Sequence, residues 1–328
     1  MTGKKANGYF KVICGAGNEN LTEIKRLSMV YTLAGADIID VSATVNSVQA
    51  AAEGIDAAKI FAERWDLQLT TVPVIMISVN ASDDPHFRKA VINSDLCYGC
   101  GECISMCEQD AISQGDTILI IPEKCIGCGK CTNECEIAGA ITFVNTNPIM
   151  VGKIKDCINA GAEAIELHAS TPDDDMVLSK LKDISKSVLC LPISLCVDRS
   201  CMSDKQIISR ISAAYNIVGE RMIVQADGVP MSGGLNDYHT TLQAIATADI
   251  ILKSKIPVKV LVSGGTNDKT RNLADLCGVD IGGIAIGSFA RKIVRRCIVM
   301  DEFDTDKDLV MKAVTAAGKL VIQSTGGL

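Results

Sequence analysis

PVKVLVSGG, residues 257–265, is followed by the amphipathic stretch Lys269–Leu276 and then by GGIAIGS, residues 282–288. Each flanking run is short, rich in β-branched residues and closed by glycine or serine, which reads as a buried strand running into a turn. The stretch between them has helical spacing. Strand, helix, strand at this interval is the βα repeat of a parallel sheet.

The same alternation extends toward both ends of the chain. Six further strand-like runs are FKVICGA (10–16), IIDVSA (38–43), VPVIMISVN (72–80), AIELHAS (164–170), LPISLCVD (191–198) and RMIVQADG (221–228). Between the runs lie Leu21–Ala34, Ser47–Trp65, Asp173–Val188, Ser203–Val218 and Tyr238–Lys253, several of them opening on Ser, Asp or Asn at the capping position. Eight βα units predict an α/β fold, a (β/α)8 TIM-type barrel, with a doubly wound open sheet as the alternative. KDLVMKAVTAAGKLVIQ (307–323) reads as a last helix on the outside.

The third strand ends near Asn80, and helical spacing resumes only at PIMVGKIKDCINAGA (148–162). The intervening residues predict an inserted domain. The expected division is barrel strands one to three in 1–90, the insert in 91–145, strands four to eight in 146–303 and a C-terminal helix in 304–328. A loop leaving the C-terminal end of a barrel strand lies on the face where such barrels carry their sites.

The insert holds CYGCGECISMC (97–107) and CIGCGKCTNEC (125–135), two copies of Cys-x2-Cys-x2-Cys-x3-Cys. Thiolates are soft anionic ligands, and three at this spacing wrap one corner of an iron–sulfur cube while a fourth arrives from elsewhere. Gly99, Gly101, Gly127 and Gly129 permit the tight turns. A zinc ribbon, the alternative, would use pairs of Cys-x2-Cys. The doubled motif resembles the two-cluster bacterial ferredoxins. That resemblance implies two [4Fe-4S] clusters, one on Cys97, Cys100, Cys103 and Cys135, the other on Cys125, Cys128, Cys131 and Cys107. Glu108 and Glu136 stand where such ferredoxins usually have proline. A carboxylate there favours the oxidised cluster, so lowered reduction potentials are expected.

Side chains two apart on a strand face the same way, so polar pairs near strand ends point together into a barrel mouth. Asp40 with Ser42, Glu166 with His168, Cys196 with Asp198 and Gln225 with Asp227 have this spacing. Asp40, Glu166 and His168 are the candidate catalytic residues, against a structural reading as a buried ion-pair or hydrogen-bonded set. Gly264, Gly265 and Thr266 after strand seven, with Gly287, Ser288 and Arg291 after strand eight, match a barrel phosphate site; plain tight turns are the alternative. FMN or another phosphorylated ligand would fit such a site. Arg88, Lys89 and Arg199 offer further positive charge near the mouth. His239 is expected at the surface, and the seven cysteines outside the motifs mostly as small buried hydrophobes. Cys14 and Cys196, at strand ends, are candidates for more.

The chain has 328 residues, 48% hydrophobic and 22% charged, with net charge -7. No basic run is present to track a phosphate backbone, which argues against nucleic acid. Neither a signal peptide nor 18 consecutive apolar residues is present, so no membrane span is expected. Fifteen cysteines without a secretory signal point to reduced thiols and metal ligation in the cytoplasm.

YFKVICGAGNENLTEIKRLSMVYTLAGADIIDV (9–41), DDPHFRKA (83–90), QADGVPMSGG (225–234), VSGGTNDKT (262–270) and IGSFARKIV (286–294) together resemble the light-dependent period protein family, LdpA, across nearly the whole chain. The resemblance implies an iron–sulfur protein that conveys redox state to a circadian clock through partner proteins. For Asp83, Pro85, His86, Phe87, Arg88, Asp227, Asn267 and the two glycine loops it marks motif membership without assigning roles. Two readings of function follow. In one, the chain is an oxidoreductase that takes electrons from a ferredoxin or reductase and passes them to a small-molecule ligand in the barrel mouth. In the other, it is a redox sensor that binds signalling proteins without turnover.

Overall fold

The computed structural model describes residues 8–15, 17–81, 87–145, 151–228 and 237–326. The chain begins with β1 (Tyr9–Gly15), α1 (Leu21–Leu33), β2 (Ile38–Ser42), α2 (Val45–Arg64) and β3 (Val74–Asn80). An insert follows, made of β4 (Arg88–Ile92), α3 (Glu102–Ser105), β5 (Ile112–Gln114), β6 (Ile118–Ile120), α4 (Lys130–Glu134) and β7 (Ile141–Asn145). The rest comprises α5 (Val151–Asn159), β8 (Ala164–His168), α6 (Asp174–Ser187), β9 (Ile193–Asp198), α7 (Asp204–Val218), β10 (Met222–Asp227), α8 (Asp237–Lys253), β11 (Lys259–Ser263), α9 (Thr270–Leu276), β12 (Gly283–Ile286), α10 (Ser288–Ile298) and α11 (Lys307–Thr325).

Strands β1, β2, β3, β8, β9, β10, β11 and β12 close into a parallel barrel, β12 returning to pair with β1. The open-sheet alternative is thereby excluded, because a doubly wound sheet keeps two free edges. Helices start where short polar side chains replace the missing intrahelical acceptors: Asn20, Thr44 and Asp173 each accept a backbone N–H, and Ser203 forms a capping box with Gln206. Helix α10, SFARKIVRRCI, is absent from the expected helices because its four basic residues obscure a narrow apolar stripe of Ala290, Val294, Cys297 and Ile298.

The barrel interior follows from the period-two alternation of its strands. Ile38, Met76, Ala164, Ile223 and Leu261 form an apolar floor. Two residues farther along each strand stand Asp40, Ser78, Glu166, Gln225 and Ser263, all buried. A TIM-type barrel is normally filled with branched apolar side chains; here a polar layer sits directly on the floor. The opposite strand faces, with Phe10, Val12, Ile39, Val41, Ile77 and Leu167, pack against the helices in the main core.

The insert has its own antiparallel pair, β4 with β7, in which Arg88 faces Asn145, so its sheet begins three residues before the expected boundary at 91. It leans on the mouth of the barrel. Glu19 N–H donates to Glu123 O at 3.0 Å, Lys89 reaches the Gly17 carbonyl, and Arg295 pairs with Asp110 at 2.6 Å. Among the described residues no helix is long and apolar enough to cross a membrane.

Candidate functional site

Six strands deliver side chains to one centre. Lys11 Nζ donates to Glu166 Oε2 at 2.7 Å and to Gln225 Oε1 at 3.0 Å, and lies 3.1 Å from Asp40 Oδ2. Ser194 Oγ donates to Glu166 Oε2 at 2.9 Å, Gln225 Nε2 to Glu166 Oε1 at 3.0 Å and Ser78 Oγ to Asp40 Oδ1 at 2.8 Å. His168 Nε2 stands 3.3 Å from Glu166 Oε1, its ring meeting Phe87 edge-on at 5.1 Å. The structure thus brings Asp40, Glu166 and His168 together as expected, but around a lysine that the sequence reading passed over. The signal for Lys11 is the alternation Tyr9, Lys11, Ile13: a charged residue at an inward position of an otherwise apolar strand.

Burial and charge decide how these groups titrate. Burial alone would lower the Lys11 pKa, but the Asp40 and Glu166 carboxylates outweigh it and hold the ammonium above the usual lysine range. Glu166 resists the upward push of burial because Lys11 and His168 stabilise its charge, leaving it below the usual carboxylate range. Asp40 shifts the other way: burial raises it, with Glu166 adding to the rise against Lys11. Two carboxylates in one chamber are therefore driven apart, one firmly ionised and the other more readily protonated.

Above this set opens a cavity of about 110 Å³ lined by Asp40, Glu166, His168, Gln225 and Asp227. All six residues expected for phosphate, Gly264, Gly265, Thr266, Gly287, Ser288 and Arg291, line the same cavity. Gly264 and Gly265 have φ of 67° and 84°, a conformation suited to glycine. A Cβ on Gly264 would fall 2.6 Å from Gly228 O, so the two loops also approach too closely for a side chain. Arg291, in the first turn of α10, is 6% exposed; one guanidinium N–H bonds Cys14 O at 3.2 Å, whereas Nε has no hydrogen-bond partner among the described residues. A buried guanidinium with an open donor beside a helix N-terminus suits an anion.

Ile126 of the insert, between Cys125 and Cys128, lines this cavity too. The rest of the insert forms two thiol quartets. Cys97, Cys100, Cys103 and Cys135 surround one cavity, so the trailing cysteine of the second motif has crossed to the first. Cys107 reciprocates, lying within electrostatic reach of Cys128 and Cys131. Gly99, Gly101, Gly127 and Gly129 have φ between 67° and 85°, which lets each loop curl around its space. Among the described residues no three His, Cys, Asp or Glu side chains converge as a single ion requires. Thiols drawn into crossed groups of four, rather than into Cys-x2-Cys pairs, suit an iron–sulfur cube.

Other expectations resolve less favourably. Arg199 turns away to Asp204 at 3.0 Å. Arg88 stacks over Phe143 and donates to Gly127 O at 2.9 Å within the insert, and Lys89 ties the Cys125 carbonyl to the Gly17 carbonyl of the barrel, so neither lines the cavity. Of the seven cysteines outside the motifs, Cys14, Cys157, Cys196 and Cys297 are buried, but Cys190, Cys201 and Cys277 are exposed, at helix and strand ends where no apolar layer covers them. Burial pushes the Cys14 thiol far up, which makes it a poor nucleophile. Cys196 donates to Asp227. His239 is exposed, as expected. Asp83, Pro85 and His86, with residues 229–234 of the QADGVPMSGG motif, lie outside the described residues.

Fold and site define an iron–sulfur protein whose ferredoxin-type insert sits over the mouth of a TIM-type barrel. Residues 89–136 match a 4Fe-4S dicluster domain, and residues 157–323 match the light dependent period A C-terminal domain. The chain belongs to the light dependent period A family. It is 29% identical over 372 aligned positions to light dependent period A of Synechococcus elongatus, covering 98% of this chain and 94% of that one. Similar solved structures include the YdjI aldolase of Escherichia coli K12, at 9% identity over 99% of this chain and 96% of that chain, TM-score 0.47. A truncated 3-deoxy-D-arabino-heptulosonate 7-phosphate synthase of Thermotoga maritima aligns at 11% identity over 96% and 85% of the two chains, TM-score 0.48. Likeness this distant carries no argument about chemistry.

Proposed function

We propose that the protein is a ferredoxin-linked oxidoreductase acting on a small anionic ligand held in the barrel mouth. The observation that carries this reading is Ile126: one short loop supplies both Cys125 and Cys128 of a thiol quartet and a wall of the cavity that holds Asp40, His168 and Arg291. In this reading Cys97, Cys100, Cys103 and Cys135 hold one [4Fe-4S] cluster and Cys107, Cys125, Cys128 and Cys131 the other. When bound, the clusters supply single electrons at the mouth.

The chain's own residues do the rest. Arg291 Nε and the amides of the Gly264–Gly265 and Gly287–Ser288 turns receive the anion. His168 carries the proton that accompanies reduction. Glu166, already accepting from Lys11, Ser194 and Gln225, is too well satisfied to serve as a base and orients His168 instead. FMN calls for a pocket of roughly 300 Å³ or more, so the cavity size favours a phosphate or carboxylate on a short ligand. A ferredoxin or reductase would be the electron donor.

Calorimetry with inorganic phosphate on the anaerobically purified, cluster-loaded chain tests the site. Binding that weakens at least tenfold in Arg291→Ala is expected; equal binding by both proteins refutes it. A sensor reading is favoured by one observation: Lys11 finds both of its carboxylate partners within the barrel, without a ligand. Binding of a signalling protein that follows cluster oxidation state, with no phosphate site and no turnover, would establish that reading instead.

A further inference from the structure

The two quartets lie in opposite electrostatic surroundings. Beside the inner one, the Lys89 side chain is 4% exposed and donates to Cys125 O at 2.8 Å and to Gly17 O in the loop after β1. Backbone N–H groups of Ala90 and Ala111 donate to Cys125 Sγ at 3.4 Å and Cys107 Sγ at 3.3 Å. Of the carboxylates near this quartet, Glu108 is matched by Lys130 at 2.8 Å and Asp110 by Arg295 at 2.6 Å, while Glu19 and Glu123 face the Lys89 charge. The expected effect of Glu108 on potential is thereby largely cancelled.

The outer quartet is different. Cys100 is exposed and Tyr98 beside it is 65% exposed. Asp95, Glu102, Glu134 and Glu136 are exposed and have no ion-pair partner among the described residues. Residues 91–145 contain eight acidic residues against two lysines, and Lys130 is committed to Glu108 at the inner quartet.

Reducing a cluster adds one negative charge, which a buried cation stabilises and unpaired carboxylates oppose. We propose that Lys89 and the outer carboxylates order the two redox centres, making the inner one, on Cys107, Cys125, Cys128 and Cys131, the more easily reduced. Electrons then run inward, from the Tyr98 face to the barrel mouth. This inference rests on the two-cluster reading above. The transfer is of one electron from a low-potential one-electron donor protein: the donor is oxidised, the outer centre is reduced and then reoxidised as the inner centre is reduced, and no bond or proton changes place. Lys89 weighs most, since its charge is buried and the outer carboxylates are screened by water and salt.

Redox titration of the cluster-loaded chain, followed by EPR, tests the ordering, with iron content measured first. Four irons per chain would sink the two-cluster reading and the ordering with it. With eight irons, Lys89→Gln is expected to make the higher-potential centre at least tenfold harder to reduce, ~59 mV for a one-electron couple, while leaving the lower one in place. Lys89→Arg should restore it. Glu136→Gln should raise only the lower-potential centre. A Lys89→Gln shift in the lower centre, or in neither, overturns the ordering and leaves the two-cluster reading intact. If Lys89→Gln fails to hold iron, Glu136→Gln still decides, because a rise in the higher-potential centre contradicts the proposal.

Discussion

Lys11 Nζ stands 2.7 Å from Glu166 Oε2, and both side chains are 1% exposed. A charged pair so deep in a barrel is tolerated only because each charge has a partner and the spare lone pairs are hydrogen-bonded. Removing the cation alone strands two carboxylates. Lys11→Met is therefore expected to cost about 3–5 kcal/mol, read as a lower urea midpoint or failure to fold. Combining it with Asp40→Asn and Glu166→Gln should recover part of that loss.

The same centre fixes a pH dependence. The folded-state pKa of Glu166 is depressed, so its stabilising contribution is present above the ordinary carboxylate range and is lost as pH falls through and below about 4. Lys11 has the opposite sign: its raised pKa gives stability below the ordinary lysine value that fades as pH rises beyond about 10. Asp40, raised, works against Glu166 on the acid side. Urea midpoints measured against pH should fall on the acid limb less steeply in Glu166→Gln than in the parent protein. An unchanged or steeper limb would contradict this assignment.

Gly264 has no room for a side chain and sits at φ 67°. Gly264→Ala should cost about 1–3 kcal/mol through overpacking against the Gly228 backbone and a strained dihedral. Since the same turn lines the mouth cavity, phosphate affinity should fall further than stability alone explains. Thermal unfolding with and without phosphate separates the two effects.

Crossed ligation predicts which cysteines fail together. Cys135→Ser should remove the same EPR centre as Cys103→Ser, and Cys107→Ser the same centre as Cys128→Ser. Pairing by motif instead, with Cys135 failing alongside Cys128, would show that the quartets seen here are not the ligand sets.

Much of this was legible in the linear chain because two periodicities are local. Runs such as RMIVQADG and PVKVLVSGG carry the strand pattern within themselves, and the residue two places beyond each floor position is polar, so Asp40, Glu166 and Gln225 betray a polar barrel interior. The cysteine repeat is likewise a property of spacing. The inward alternation marks Lys11, but its partners were not legible, since a lysine in an apolar strand ordinarily extends its stem and keeps its charge in water. Nothing near it in sequence reveals that two acids more than twenty-five residues away, on other strands, will meet it.

The sequence by itself determined the eightfold βα repeat, the insert after the third strand and the cysteine spacing of an iron–sulfur module, because strand alternation, helix capping and thiolate spacing act over a few residues. Only the tertiary structure decided that Lys11 joins Asp40 and Glu166, that Ile126 reaches the mouth, that Lys89 is buried against Cys125 O and that Lys130 pairs with Glu108. Those outcomes depend on barrel closure and on the seating of the insert. Both bring together charges separated by tens to hundreds of residues, and their energy is set by distance in space and by burial rather than by order along the chain.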